Sequence, residues 1–181
     1  SVSWARIRPE GRGAVDPEGL EFYGNGVDEC LRQGIEPLVT MFHFDLPAAL
    51  EKRGGWGNPE SVQWFVDYAR ILFENYGSRV KYWLTINEQN VIIFLAERFH
   101  TLVIPKDCDN FLREVYQQNH RMLVAQAKTM ALCHAMCPGA KIGPAPNISF
   151  VYPASCKPED TIAAENYNAM RNWLYLDVAV R

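Results

Sequence analysis

The stretch Val80-Lys81-Tyr82-Trp83-Leu84-Thr85-Ile86-Asn87-Glu88 decides the fold. Val80 to Ile86 reads as a short strand, and two polar residues stand at its carboxyl end. Upstream, Val62, Phe65, Val66, Ala69, Leu72, Phe73 and Tyr76 recur at helical spacing and stop at Gly77. Downstream, residues 91 to 110 read as a long loop with some helix. A long helix then runs from about Asn110 to Cys137 and is ended by Pro138-Gly139. Strand, helix and strand in this order form a βαβ unit, which needs a parallel pair.

The same alternation extends in both directions. Towards the start, Pro37 to Phe44 is a nearly continuous apolar run, as expected of a strand buried on both faces. Leu20, Tyr23, Val27, Cys30 and Leu31 mark a helix before it, opened by Asp16-Pro17 and closed by Gly34. Val2 to Ile7 reads as a further short strand, ended by Pro9 and the turn at Gly11 and Gly13. Towards the end, Lys141 to Pro146 is a short strand. Residues 147 to 158 form a loop. A last helix starts near Pro158-Glu159 and is expected to bury Ile162, Ala163, Tyr167, Met170, Trp173 and Leu174. Four strands alternating with helices predict an α/β fold with a parallel sheet, either doubly wound or part of a (β/α)8 TIM barrel. No glycine-rich phosphate loop follows any strand, which removes the usual nucleotide-binding options.

The bulk numbers exclude several classes. The chain has 181 residues, 48% apolar and 22% charged, enough for one ordinary globular domain. A net charge of −3 without a basic stripe gives no sign of nucleic acid, and no apolar run of membrane-spanning length occurs. Five scattered cysteines predict a reducing, cytoplasmic compartment rather than a disulfide framework. Cys133 and Cys137 flank His134, but no second ligand pair lies nearby. Two small buried cysteines on a helix face are the simpler reading, and no metal site is expected.

In a parallel barrel, chemistry sits at the carboxyl ends of the strands. Those ends carry His43, then Asn87 and Glu88, then Asn147, with aromatics beside them. Such a mixture suits a sugar, which offers hydroxyls at its edge and C–H groups on its faces. Glu88 is the candidate acid. A carboxyl group emerging from an apolar strand is partly desolvated, and desolvation favours the protonated form that can supply a proton to a leaving oxygen. Without further context, Glu88 also reads as an ordinary glutamate at a strand-to-loop junction, and His43 as a core or capping histidine.

At Thr85-Ile86-Asn87-Glu88 the chain resembles glycoside hydrolase family 1, which has an Asn-Glu pair at the end of barrel strand four. Ser3-Trp4-Ala5-Arg6-Ile7 resembles that family's strand two, and Phe42-His43-Phe44-Asp45-Leu46-Pro47 its strand three. Gly54-Gly55-Trp56 resembles the loop beyond, and Lys141-Ile142-Gly143 the start of strand five. The motifs keep the family's order over nearly the whole chain. Residues 1–181 are therefore expected to be one partial catalytic barrel, about strands two to five of eight, without the first strand and the C-terminal strands.

The resemblance implies roles. Glu88 would be the acid/base of a retaining β-glycosidase, Asn87 would hold the sugar's 2-hydroxyl, and His43 another hydroxyl. Asn147 would lie near the acid, while Trp4 and Trp56 would be packing residues. Two departures stand out. Asn87-Glu88-Gln89 replaces the common Asn-Glu-Pro, and Phe44 replaces a tryptophan after the histidine. The non-proline residue and the stretches Gly143 to Asn147 and Ala164 to Asn168 resemble bacterial 6-phospho-β-glucosidases. The expected substrate is thus a 6-phospho-β-glucoside such as cellobiose 6-phosphate, cleaved without metal or organic cofactor. A plain β-glucosidase and an inactive, sugar-binding or packing piece remain alternatives. The family's nucleophile motif, Thr-Glu-Asn-Gly, does not occur. Open strand edges would also expose apolar surface, making a homo-oligomer one expectation.

Overall fold

The computed structural model describes residues 1–180. Three parallel strands, β1 (Leu38–Phe42), β2 (Tyr82–Asn87) and β3 (Lys141–Ala145), form one sheet in the order β1-β2-β3. Two long helices serve as crossovers, α4 (Ser61–Tyr76) between β1 and β2 and α7 (Phe111–Met136) between β2 and β3. Earlier in the chain lie α1 (Trp4–Ile7) and α2 (Pro17–Arg32), and α3 (Ala48–Glu51) follows β1. The segment expected to be mostly loop after β2 contains two short helices, α5 (Gln89–Phe94) and α6 (Ala96–Phe99). Beyond β3 come α8 (Pro158–Asn168), a π-helical turn over Ala169–Trp173, and α9 (Leu174–Val180).

The helices begin where the sequence places their caps. Asp16 accepts the N–H groups of Glu18 and Gly19, with Pro17 in the first helical position, and Asn110 accepts from Arg113. Both crossovers pack on one face of the sheet. The Phe73 ring of α4 meets Trp83 of β2 edge-on at 5.2 Å, and Gln126 of α7 accepts a hydrogen bond from Thr85 of β2.

Trp4 and Trp56 are packing residues, 1% and 3% exposed. Trp4 stacks on Tyr68 with centroids 4.8 Å apart, and its ring also meets Phe42 and Phe65. Aromatic pairs of this kind add about 0.5–1.5 kcal/mol each beyond burial. Tyr68 reaches the carbonyls of Val2 and Met41, and full burial pushes its phenol well above the usual range. Cys133 and Cys137 are buried free thiols, and burial pushes the Cys133 thiol up to about 12. No helix among the described residues is long and apolar enough to cross a membrane.

Two sequence expectations are corrected. Val2 to Ile7 is not a strand. Only Val2 bonds like one, its N–H reaching the Thr40 carbonyl at 2.9 Å, and the chain then coils into α1. The Asp45 carboxylate accepts the Trp4 N–H at 2.9 Å and anchors that helical turn. Likewise, the apolar face of the last helical segment is not buried. Ile162, Ala163, Tyr167, Met170, Trp173 and Leu174 are all exposed. Among the described residues no strand lies beyond β3, so this face has no sheet beneath it.

Candidate active site

The sheet's register sets the rim. Phe42 pairs with Ile86, which brings His43 level with Asn87. Asn87 pairs with Ala145 after a register shift in β2, and the Glu88 N–H reaches the Ala145 carbonyl at 2.8 Å. Glu88 then adopts a left-handed backbone, φ 46° and ψ 44°, and its carbonyl receives the N–H groups of Val91 and Ile92. Strand thus becomes helix at this one residue, and its half-buried side chain sits at the sheet's carboxyl end.

Both flanks of the Asn87-Glu88 pair are tied to α7. Thr85 donates to Gln126 Oε1 at 2.5 Å, and the Gln126 amide donates to Gln89 Oε1 and to the Tyr175 hydroxyl. Gln89 in turn donates to the side chain of Asn119 at 2.7 Å. Thr85 and Gln89 are fully buried, so these bonds satisfy polar groups cut off from water, Thr85 also reaching the Gly143 carbonyl at 3.3 Å. Burial is also what raises the Tyr175 phenol, against the lowering effect of its bond to Gln126.

A second polar cluster faces the carboxyl group. Asn147 donates from Nδ2 to Glu88 Oε1 at 2.7 Å. Asn147 is itself held by Arg171, whose Nη2 donates to Oδ1 at 2.5 Å and Nη1 to the backbone carbonyl at 2.7 Å. Asn90 completes the cluster, donating to the Asn147 carbonyl at 2.7 Å and accepting the Asn147 N–H at 3.1 Å.

The structure therefore brings Glu88 and Asn147 into direct contact. His43 and Asn87 share the same rim, but neither side chain hydrogen-bonds the Glu88 carboxyl group. His43 is exposed, and its Nδ1 meets the Ser1 hydroxyl at 2.8 Å. The Asn87 amide stays outside both clusters. A cavity of about 150 Å³ borders Asn90, Phe94, Met170 and Tyr175 but is not lined by Glu88. The carboxyl group instead occupies the open rim. Sequence reasoning missed Asn90, Arg171 and Gln126. Asn90 lies two residues beyond Glu88 and was within reach of a local argument. Arg171 lies 81 residues from Asn90 and 24 from Asn147, and nothing local signals their meeting.

Comparison with known proteins gives the family and the fold. The glycosyl hydrolase family 1 model matches residues 1–181. Beta-glucosidase A of Thermotoga maritima is 38% identical over 182 residues, covering 100% of this chain and 40% of that protein. The 6-phospho-beta-glucosidase of Dickeya chrysanthemi is 41% identical over 184 residues, covering 100% and 38%. A solved Thermotoga maritima family 1 glycoside hydrolase, complexed with a cyclophellitol analogue transition state mimic, superposes with a TM-score of 0.85 at 37% identity. The match covers 95% of this chain and 38% of that one. The chain thus spans about 40% of the length of such relatives. Its fold is a portion of the (β/α)8 barrel, which settles the choice between barrel and doubly wound sheet.

Proposed function

The chain belongs to glycosyl hydrolase family 1, and on that premise we propose that Glu88 is the general acid/base of a retaining β-glycosidase, acting on 6-phospho-β-glucosides. The observation that carries this reading is the Glu88 carboxyl group at the carboxyl end of a barrel strand, oriented by the Asn147 amide at 2.7 Å. In the first step the Glu88 O–H bond breaks and its proton passes to the glycosidic oxygen. That oxygen leaves with the C–O electron pair as a second carboxylate attacks the sugar carbon. In the second step Glu88 takes a proton from the water that releases the sugar. Asn87, unengaged at the rim, is free to bind the 2-hydroxyl, and exposed His43 another hydroxyl. The second carboxylate would stand about 5–5.5 Å away and be supplied by barrel residues other than these 181.

Support for a phosphorylated sugar is the Gln89 that follows Glu88, together with relatives named as 6-phospho-beta-glucosidases. Relatives named as beta-glucosidases match to a similar degree, so a non-phosphorylated substrate is the second reading. The free cysteines fit a reducing, cytoplasmic setting. Paired assays of the complete enzyme on phenyl 6-phospho-β-glucoside and phenyl β-glucoside decide between the substrates. Higher kcat/KM on the phosphorylated glycoside is expected. In the same assay Glu88→Gln should lose about 10²- to 10⁴-fold. A Glu88→Gln enzyme with undiminished rate would remove the acid/base assignment. Turnover by the isolated 181-residue chain would remove the need for a carboxylate from elsewhere.

A further inference from the structure

Arg171 sits in the π-helical turn Ala169–Trp173, an irregularity frequent near functional sites, and spends two donors on one asparagine. An arginine has only donors, so the oxygen of the Asn147 amide must face it. The amide nitrogen must then face Glu88, where it donates to Oε1 at 2.7 Å. Asn90 fixes the backbone of Asn147 from the other side, and its own amide also binds the Arg171 carbonyl at 3.1 Å. The amide plane is therefore set at both ends.

From this we infer that Arg171 is a positioning residue that, through Asn147, confines the transferable proton of Glu88 to Oε2. The inference rests on the acid/base reading above. A protonated carboxyl group has one O–H donor and one oxygen left to accept. With an amide N–H on Oε1, that oxygen is the acceptor and the proton stands on Oε2. Without Arg171 the terminal torsion of Asn147, which is broad and roughly two-fold, is free to turn over. Oδ1 then meets Glu88, accepts the acid's own proton, and holds it away from the glycosidic oxygen. Arg171 excludes that unproductive bond without touching the substrate.

The test compares leaving groups in the complete enzyme. A 2,4-dinitrophenyl glycoside departs without protonation, whereas a phenyl glycoside needs the acid. The measured quantity is kcat/KM for both substrates, which reports glycosylation alone. For Arg171→Met the phenyl rate is expected to fall about ten- to hundredfold, the scale of one charge-assisted hydrogen bond, and the dinitrophenyl rate to stay within about threefold. Their ratio within one variant is independent of how much enzyme is folded, so lost stability alone does not move it. Arg171→Lys restores one donor and should give an intermediate ratio. It also serves as the second variant if Arg171→Met does not fold. An unchanged ratio in both variants, alongside a Glu88→Gln enzyme that selectively loses the phenyl substrate, overturns this inference and leaves the acid/base reading standing. A Glu88→Gln enzyme with no such selectivity overturns both.

Discussion

Glu88 combines the proposed acid/base role with a backbone burden at the same position. Its φ of 46° lies in the left-handed region, where a side-chain-bearing residue is held at a cost of about 1–2 kcal/mol. Strain of this kind persists only where the surroundings fix it, here through the Ala145 carbonyl behind and α5 ahead. Two substitutions that both delete the carboxyl group isolate the backbone contribution. Glycine relieves the left-handed penalty but adds about 0.4–1 kcal/mol of chain entropy to the unfolded state relative to alanine. The penalty is the larger of the two effects. Glu88→Gly is therefore expected to be more stable than Glu88→Ala by up to about 1 kcal/mol, read as a higher urea midpoint, with both variants impaired on the phenyl glycoside. A glycine variant less stable than the alanine one would show that the strain is smaller than the entropy cost of glycine, against the left-handed penalty expected here.

At the scale of elements, α7 holds β2 from behind. Gln126 is the hub, since its single amide serves Thr85, Gln89 and Tyr175, all buried. Gln126→Leu keeps the volume but strands Gln89 Oε1 and the Tyr175 hydroxyl, each costing about 1–3 kcal/mol, while Thr85 keeps only its longer bond to the Gly143 carbonyl at 3.3 Å. The losses are coupled and fall short of a simple sum. A destabilisation of about 3 kcal/mol is expected for Gln126→Leu, against about 1 kcal/mol for Tyr175→Phe, which removes one member only. Urea denaturation of the two variants gives the comparison, and equal losses would deny Gln126 its central place. Much of this element was legible. The seven apolar positions of α4, the apolar run of β1, and the Asn110 and Pro158 starts all followed from period and capping chemistry. Glu88 and Asn147 were legible because strand ends in a parallel sheet converge. What the sequence concealed depended on distant partners. α1 replaces a strand because Asp45, 41 residues away, receives the Trp4 N–H. Arg171 reaches Asn147 because a π-helical turn re-aims it, and no periodicity announces that turn.

For the molecule as a whole, the question is which uncovered surface governs its behaviour when the 181 residues stand alone. Both sheet edges are open in principle, yet each is blunted. The β1 edge already spends the Thr40 carbonyl on Val2, and β3 contains Pro144, which has no N–H to offer a new strand. The helical face is different. Ile162, Tyr167, Met170 and Trp173 are exposed on one helical segment, with only Tyr167 meeting another ring, that of Phe94 at 5.7 Å, and exposed apolar surface of this kind drives association. Side-chain burial on this face should therefore outweigh backbone pairing at the edges. The isolated chain is expected to self-associate in a concentration-dependent way in sedimentation velocity, while the double variant Met170→Glu/Trp173→Glu shifts towards monomer. Both side chains are about half exposed or more, Met170 at the mouth of the cavity beside Tyr175, so the introduced charges remain in reach of water. If the double variant associates as strongly as the parent, edge pairing rather than the helix face drives assembly. A strictly monomeric parent across the concentration range would show that neither surface is sufficient.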